Sequence, residues 1–165
     1  MKIIIVNDED EGVGVKDRET LDYSKDIYRV SALWIANSHG QSLLAKRAYT
    51  KKHNPGKWGP AVAGTVEEGE TYESNITKEA DEELGIKNVK LKKAIKELVR
   101  GRYKHFTQWF FLKIDKNVED FTFNKDEVVE IKWFSMEEVI ELIELDMAVT
   151  LSNELLVDMK KRMRR

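Results

Sequence analysis

The chain has 165 residues, a net charge of −2 and 35% charged side chains. That balance suits one domain, 1–165, with a sizeable core, and gives no overall attraction to nucleic acid or to an anionic membrane. There is no cysteine, which excludes disulfides, cysteine nucleophiles and thiolate metal sites. The longest early apolar run, residues 3–6, is far too short for a signal peptide or a membrane span, so a cytoplasmic protein is the simplest expectation.

Residues 2–6 and the stretch around Gly14 and Val15 read as a short N-terminal strand pair. Residues 28–37 form a long apolar strand, and His39-Gly40 turns the chain back into a strand at 41–47. Another strand covers 61–64. A helix follows, with Thr71 as its N-cap and Gly85 as the C-cap glycine after Leu84. Within it Ile76, Ala80 and Leu84 recur every four residues on a face that can pack on a sheet. Residues 89–100 and 104–114 form a long antiparallel pair joined near Gly101, and 128–134 adds a further strand. Ser135 with Glu138 makes a capping box for a helix through about residue 145, and a last helix runs from about 151 to 163. No repeat, low-complexity tract or proline-rich linker divides the chain. Strands mixed with three helices imply an α/β fold, an α/β/α sandwich on a mixed sheet.

The chemistry concentrates between Gly64 and Ile86, in GTVEEGETYESNITKEADEELGI. Glu79, Glu82 and Glu83 fall at i, i+3 and i+4, so their carboxylates share a helix face apart from the apolar one. Like charges at that spacing weaken a helix by roughly 0.2–0.5 kcal/mol per pair, and a multivalent cation between them reverses the sign. Hard oxygen ligands of this kind suit Mg²⁺ or Mn²⁺, which keep several waters and bridge to substrate phosphates. A solvated acidic face is the alternative reading of three acids alone. Gly64, ending the run Ala61-Val62-Ala63, lets a backbone carbonyl approach a metal closely.

This segment resembles the signature of the Nudix hydrolases, G-x5-E-x7-R-E-U-x-E-E-x-G-U with U an aliphatic residue. Gly64, Glu70, Glu79, Ala80, Glu82, Glu83, Gly85 and Ile86 match in register, and Lys78 stands where the motif has arginine. The resemblance implies a strand-loop-helix that binds a divalent metal and hydrolyses a nucleoside diphosphate linked to some other group. It implies Glu79, Glu82, Glu83 and the Gly64 carbonyl as metal ligands, with Glu83 also steering the attacking water. In the family the arginine holds a glutamate of the motif by a forked hydrogen bond. Lys78 keeps the charge but not the planar fork, so reduced rather than absent activity is expected.

A second block, from Lys46-Arg47-Ala48 through Lys51 to Pro55-Gly56-Lys57-Trp58, is similar to the RRA-x-x-K…PG-x-W stretch of the isopentenyl diphosphate isomerase-like branch. The opening around Val6 to Gly14 is similar to that branch as well, and the whole resemblance covers about 4–135. It implies that Arg47 and Lys51 contact the substrate diphosphate. Isomerases of this branch use a cysteine, but Ala63 stands in its place, and Thr65 and Tyr28 stand where metal-binding histidines would be. His39, His53 and His105 are read as mostly surface residues. Cleaving a P–O–P bond requires a positioned water, a base, and positive charge over the phosphate oxygens. Glu127 matches the downstream acid that relatives use as base or ligand, an exposed acid at the start of a strand being the alternative. Glu83, Glu127 and Lys78 are thus the catalytic candidates. Trp58, Tyr103, Phe106, Trp109 and Phe110 are read mainly as core, with stacking on a base as the alternative. The basic tail, Lys160-Lys161-Arg162 with Arg164-Arg165, is read as a helix end favoured by the helix dipole.

The expectation is a Mg²⁺- or Mn²⁺-dependent pyrophosphohydrolase acting on a small nucleotide-like diphosphate, with no membrane or nucleic-acid partner and a homodimer left open. Its rivals are a weakly catalytic binding or regulatory module and, disfavoured by the missing cysteine, an isoprenoid diphosphate isomerase.

Overall fold

Ten residues, Ile27–Ala36, form the strand on which the rest of the fold assembles. The computed structural model describes residues 1–165 and contains β1 (Lys2–Val6), β2 (Gly12–Asp17), β3 (Ile27–Ala36), β4 (Gln41–Arg47), β5 (Trp58–Pro60), β6 (Val62–Thr65), α1 (Tyr72–Leu84), β7 (Lys92–Val99), β8 (His105–Lys113), β9 (Val128–Ser135), α2 (Met136–Glu144) and α3 (Asn153–Met163). β3 pairs antiparallel with β1, β4 and β6 and parallel with β8. β7 extends this mixed sheet beyond β8, while β4 carries β5 and β9 as a smaller antiparallel group. Strands buried on both faces read as nearly continuous apolar runs, and β3 and β8 do so in their inner halves.

Period-two alternation assigns the two faces. Ala32, Trp34 and Ala36 of β3, with Trp109 and Phe111 of β8, pack with Val139 of α2 and Leu155 and Met159 of α3. Leu33 and Ile35, with Phe110 and Leu112, pack on the other side against Ile76, Ala80 and Leu84 of α1. The expected sandwich on a mixed sheet is therefore the observed one, with α1 on one face and α2 and α3 on the other.

Three boundaries differ from the sequence reading. β5 was not expected: Trp58-Gly59-Pro60 is too short to show alternation, yet it pairs with residues 44–46 of β4. β7 begins at Lys92 rather than at 89, because Asn88 adopts a left-handed backbone with φ 56° that interrupts an extended run. α3 begins at Asn153 rather than about 151, since Ser152 caps it by accepting from the Leu155 N–H. No helix is long and apolar enough to cross a membrane.

Candidate active site

α1 is fixed at both ends by local chemistry. The Thr71 hydroxyl accepts from the Ser74 N–H at 3.0 Å, and the Ser74 hydroxyl accepts from the Thr71 N–H at 2.9 Å. At the other end Gly85 takes φ 67°, its N–H donating to the Asp81 carbonyl and that of Ile86 to the Ala80 carbonyl. The stripe Ile76, Ala80 and Leu84 is essentially fully buried against the sheet. With that face committed, Glu79, Glu82 and Glu83 are turned together onto the wall of a cavity of about 550 Å³. Gly64, Arg47, Lys51 and Glu127 line the same cavity.

The approach of α1 to β6 is very close. A Cβ at Gly64 would lie 2.5 Å from Cγ and 2.6 Å from Cδ of Glu79, so a glycine is needed for the helix acids to sit where they do. One residue earlier, the Ala63 N–H donates to Oε2 of Glu83 at 3.2 Å. Burial, and next the charge of Glu79, push the Glu83 carboxyl up to about 8. Burial also raises Glu79, with Lys78 opposing.

Lys78 does not line the cavity. Its ammonium donates to Oε1 of Glu70 at 2.5 Å and to Oε2 of Glu67 at 2.9 Å, and lies 3.8 Å from Oε1 of Glu79. Glu70 also accepts from the Glu67 N–H at 2.9 Å and from the Asn75 amide at 2.9 Å. Burial alone would raise the Glu70 carboxyl, but Lys78 and these two donors outweigh it and hold the group below its ordinary value. Lysine thus gathers two loop carboxylates with one point charge where arginine would fork one.

Asn75 was missed in the sequence. It is fully buried, donates to the Thr65 carbonyl at 3.1 Å, and meets the Ser31 hydroxyl of β3, joining α1, β3, β6 and the Glu70 loop. The available signal was a polar side chain beside Ile76 on the buried edge of the helix.

Arg47 ends β4 where the β4–β9 register shifts. Its Nε donates to the His53 carbonyl at 2.8 Å, which leaves the two terminal nitrogens for another partner. Burial lowers the pKa of the guanidinium, with Glu127 and Glu83 opposing. The Ala48 N–H donates to the Glu127 carbonyl at 3.0 Å, and this backbone link brings Lys51 Nζ within 2.5 Å of Glu127 Oε2. The two candidates are therefore paired with each other.

Two of the three histidines depart from the surface reading. His39 lies in an exposed turn as expected, but His53 and His105 line the cavity. The His53 ring stacks on Tyr103 with centroids 3.8 Å apart, and Tyr23 meets both edge-on at 5.8 and 4.9 Å. Burial pushes the His105 imidazole down to about 4. Trp58, Phe106, Trp109 and Phe110 are core residues as read, and only Tyr103 among those aromatics lines the cavity.

The donor set fits a hard divalent cation. The protein places no cation on Glu82 or Glu83 (Lys78 is spent mainly on Glu67 and Glu70), and the glycine cradle brings a backbone segment against Glu79. The three carboxylates do not form a closed cluster.

Residues 26–153 match the model of the NUDIX domain. An isopentenyl-diphosphate Delta-isomerase of Klebsiella pneumoniae strain 342 is 31% identical over 87 residues, 51% of this chain and 46% of the isomerase. The chain thus aligns with about half the length of that isomerase. The uncharacterized Nudix hydrolase YfcD of Salmonella typhi is 28% identical over 135 residues, 82% of this chain and 72% of that protein. Among solved structures, DR0079 of Deinococcus radiodurans superposes with a TM-score of 0.79 at 24% identity, with both chains covered completely, which shows a shared fold.

Proposed function

The chain belongs to the NUDIX-domain family, and from that premise we propose that it is a metal-dependent pyrophosphohydrolase cleaving a nucleoside diphosphate linked to another group. The observation that carries this reading is one cavity lined both by three carboxylates of α1, of which Glu82 and Glu83 have no basic partner, and by the basic pair Arg47 and Lys51. Glu79, Glu82, Glu83 and the Gly64 carbonyl would hold Mg²⁺ or Mn²⁺, which when bound supplies positive charge over the phosphate oxygens and acidifies a water.

The side chains divide the remaining work. The two terminal nitrogens of Arg47 take phosphate oxygens, and Lys51 adds a mobile point charge. Glu83, anchored through Oε2 by the Ala63 N–H, steers the attacking water with its other oxygen. Glu127 takes the role of base once phosphate draws Lys51 away from it. Lys78 is a positioning residue, holding the Glu67–Glu70 loop beside Glu79. Isomerase chemistry lacks its proton carrier, because Ala63 lines the cavity where the cysteine would stand and the chain has none.

The test is a phosphate-release screen across nucleoside di- and triphosphates, dinucleotides, nucleotide sugars and isoprenyl diphosphates with Mg²⁺ and Mn²⁺. Hydrolysis is expected to stop in excess EDTA, and Glu83→Gln to lower kcat by on the order of 10²-fold or more through lost electrostatic stabilisation. Comparable turnover by Glu83→Gln, or full activity in EDTA, would sink the assignment.

A further inference from the structure

Far from this cavity, a second cleft of about 250 Å³ opens between the end of β8, the start of β7 and the end of α3. Its lining includes five basic side chains, Lys90, Lys92, Lys113, Arg162 and Arg165, and no acidic side chain. His105 of the large cavity and Lys113 of this cleft stand at opposite ends of β8, about 26 Å apart at roughly 3.3 Å per residue. The two cavities share no residue.

The helix dipole explains only part of this cluster. It favours Lys160, Lys161 and Arg162 in the last turn of α3. It does not explain why the sheet adds lysines at the same place. Lys113 has a structural use, donating to the Met163 carbonyl at 3.3 Å and to a main-chain carboxylate oxygen of the last residue, Arg165, at 2.9 Å. Arg162 gives only its Nε to Asp158, at 2.9 Å, leaving its terminal nitrogens without a carboxylate. Lys90, Lys92 and Arg165 have no acidic partner, although nearby lysines find one: Lys87 pairs with Asp81, Lys93 with Glu73 and Lys96 with Asp10. Five cations and no acidic side chain around one concavity, in a chain of net charge −2, suit an anion.

We propose that this cleft is a second anion site, taking a compact diphosphate of the size of inorganic pyrophosphate. Its volume of about 250 Å³ lies below the roughly 300–1,000 Å³ of sites that enclose drug-sized ligands, so two phosphate groups suit it and a whole nucleotide does not. Arg162 offers paired donors to phosphate oxygens, and Lys90 and Lys92 supply point charges from the sheet side. This site is independent of the hydrolase reading.

Calorimetric titration of the full chain with pyrophosphate in EDTA tests the proposal, on the wild type, on Lys90→Glu/Lys92→Glu and on Arg47→Ala. Both reversed lysines are exposed, so the double variant is expected to fold. A saturable component should appear that the lysine reversal weakens 10-fold or more and Arg47→Ala leaves within twofold. Absence of saturable binding to the wild type, or survival of every component in Lys90→Glu/Lys92→Glu, overturns the proposal. Titrating ADP in parallel identifies the source of the ligand. ADP excluded from this component is the expected result and means that the free anion is the ligand; ADP entering it with similar affinity overturns the assignment to a compact diphosphate.

Discussion

Replacing Gly64 by alanine perturbs the site through one added methyl group. Gly64 lies outside the left-handed region and sits opposite Ser31 in the β3–β6 pairing, so the backbone accepts alanine. The obstacle is Glu79, whose Cγ would lie 2.5 Å from the new Cβ. Carbon atoms rest at about 3.5–4.0 Å, so Glu79 must retreat by about 1 Å or more. A misplacement of that size in a reacting constellation costs on the order of 10²-fold in rate. Overpacking typically costs about 1–3 kcal/mol, and the half-buried, flexible glutamate puts this case near 1 kcal/mol. That corresponds to a fall in Tm of about 2–4 °C for a chain of this size. The assay is kcat/KM on the diphosphate found by the screen, with Mn²⁺ affinity by calorimetry and Tm by scanning. Gly14→Ala is the control, since a Cβ there meets nothing within 4 Å. Gly64→Ala retaining Mn²⁺ affinity and kcat/KM within threefold of wild type would refute the view that this glycine sets the position of Glu79.

Lys78→Arg should keep kcat/KM within about threefold, whereas Lys78→Ala strands Glu67 and Glu70 together and should lose the equivalent of about 1.5–3 kcal/mol for a charged hydrogen bond; equal rates for the two variants would show that the lysine charge is idle. Arg47→Ala should raise KM by the same free energy, about 10- to 150-fold. Lys57→Ala should change KM by less than twofold, because Lys57 is paired with Asp146 at 2.7 Å and does not line the cavity; similar small effects in both would make the basic stretch mere surface. For pH, Glu83 rises from an ordinary 4.5 to about 8 on folding, so its stabilising contribution is complete below pH 4.5 and is lost as pH rises toward 8. In EDTA, between pH 6.5 and 8.5, the Tm of wild type should fall more steeply than that of Glu83→Gln, and parallel curves would contradict the assigned burial.

The elements legible in sequence were those whose signals are local. Thr71 and Gly85 fix the ends of α1 through bonds spanning five residues or fewer, and the stripe Ile76, Ala80 and Leu84 identifies its buried face without reference to the sheet. The acids needed no more than the helical period. β5 gave no such signal, because what holds it is distant: beyond its pairing with β4, the Trp58 N–H donates to the Met147 carbonyl and the Val149 N–H to the Trp58 carbonyl. His53 and His105 escaped for the same reason. Each lies in an unremarkable polar stretch, and only the parallel pairing of β3 with β8, which sets Tyr28 opposite His105, brings them with Tyr103 to one wall. The partner of Lys78 was legible only as a charge requirement, and that the requirement is met by Glu70 and Glu67 together depends on how the loop folds.

If the proposed function holds, the electrostatics of the cavity would make metal and diphosphate mutually dependent. Glu82 and Glu83 have no basic partner, and burial, with the charge of Glu79, raises the Glu83 carboxyl to about 8. Lys51, for its part, is occupied by Glu127 at 2.5 Å, a pair whose carboxylate side chain is 58% exposed. Exposed pairs of that kind are worth about 0–1 kcal/mol, so the contact is easily exchanged for a phosphate. A diphosphate entering alone would set more negative charge beside Glu79, Glu82 and Glu83. At an effective dielectric of about 20, two like charges 4 Å apart repel by about 4 kcal/mol. A cation entering alone would have to displace the Glu83 proton and would leave Arg47 and Lys51 without an added anion. On the proposed reading a metal–diphosphate complex would meet both demands at once, the helix acids holding the metal and the basic pair the phosphates. On the proposed reading the same exchange would release Glu127 from Lys51, so the base would become free only when the phosphates are in place.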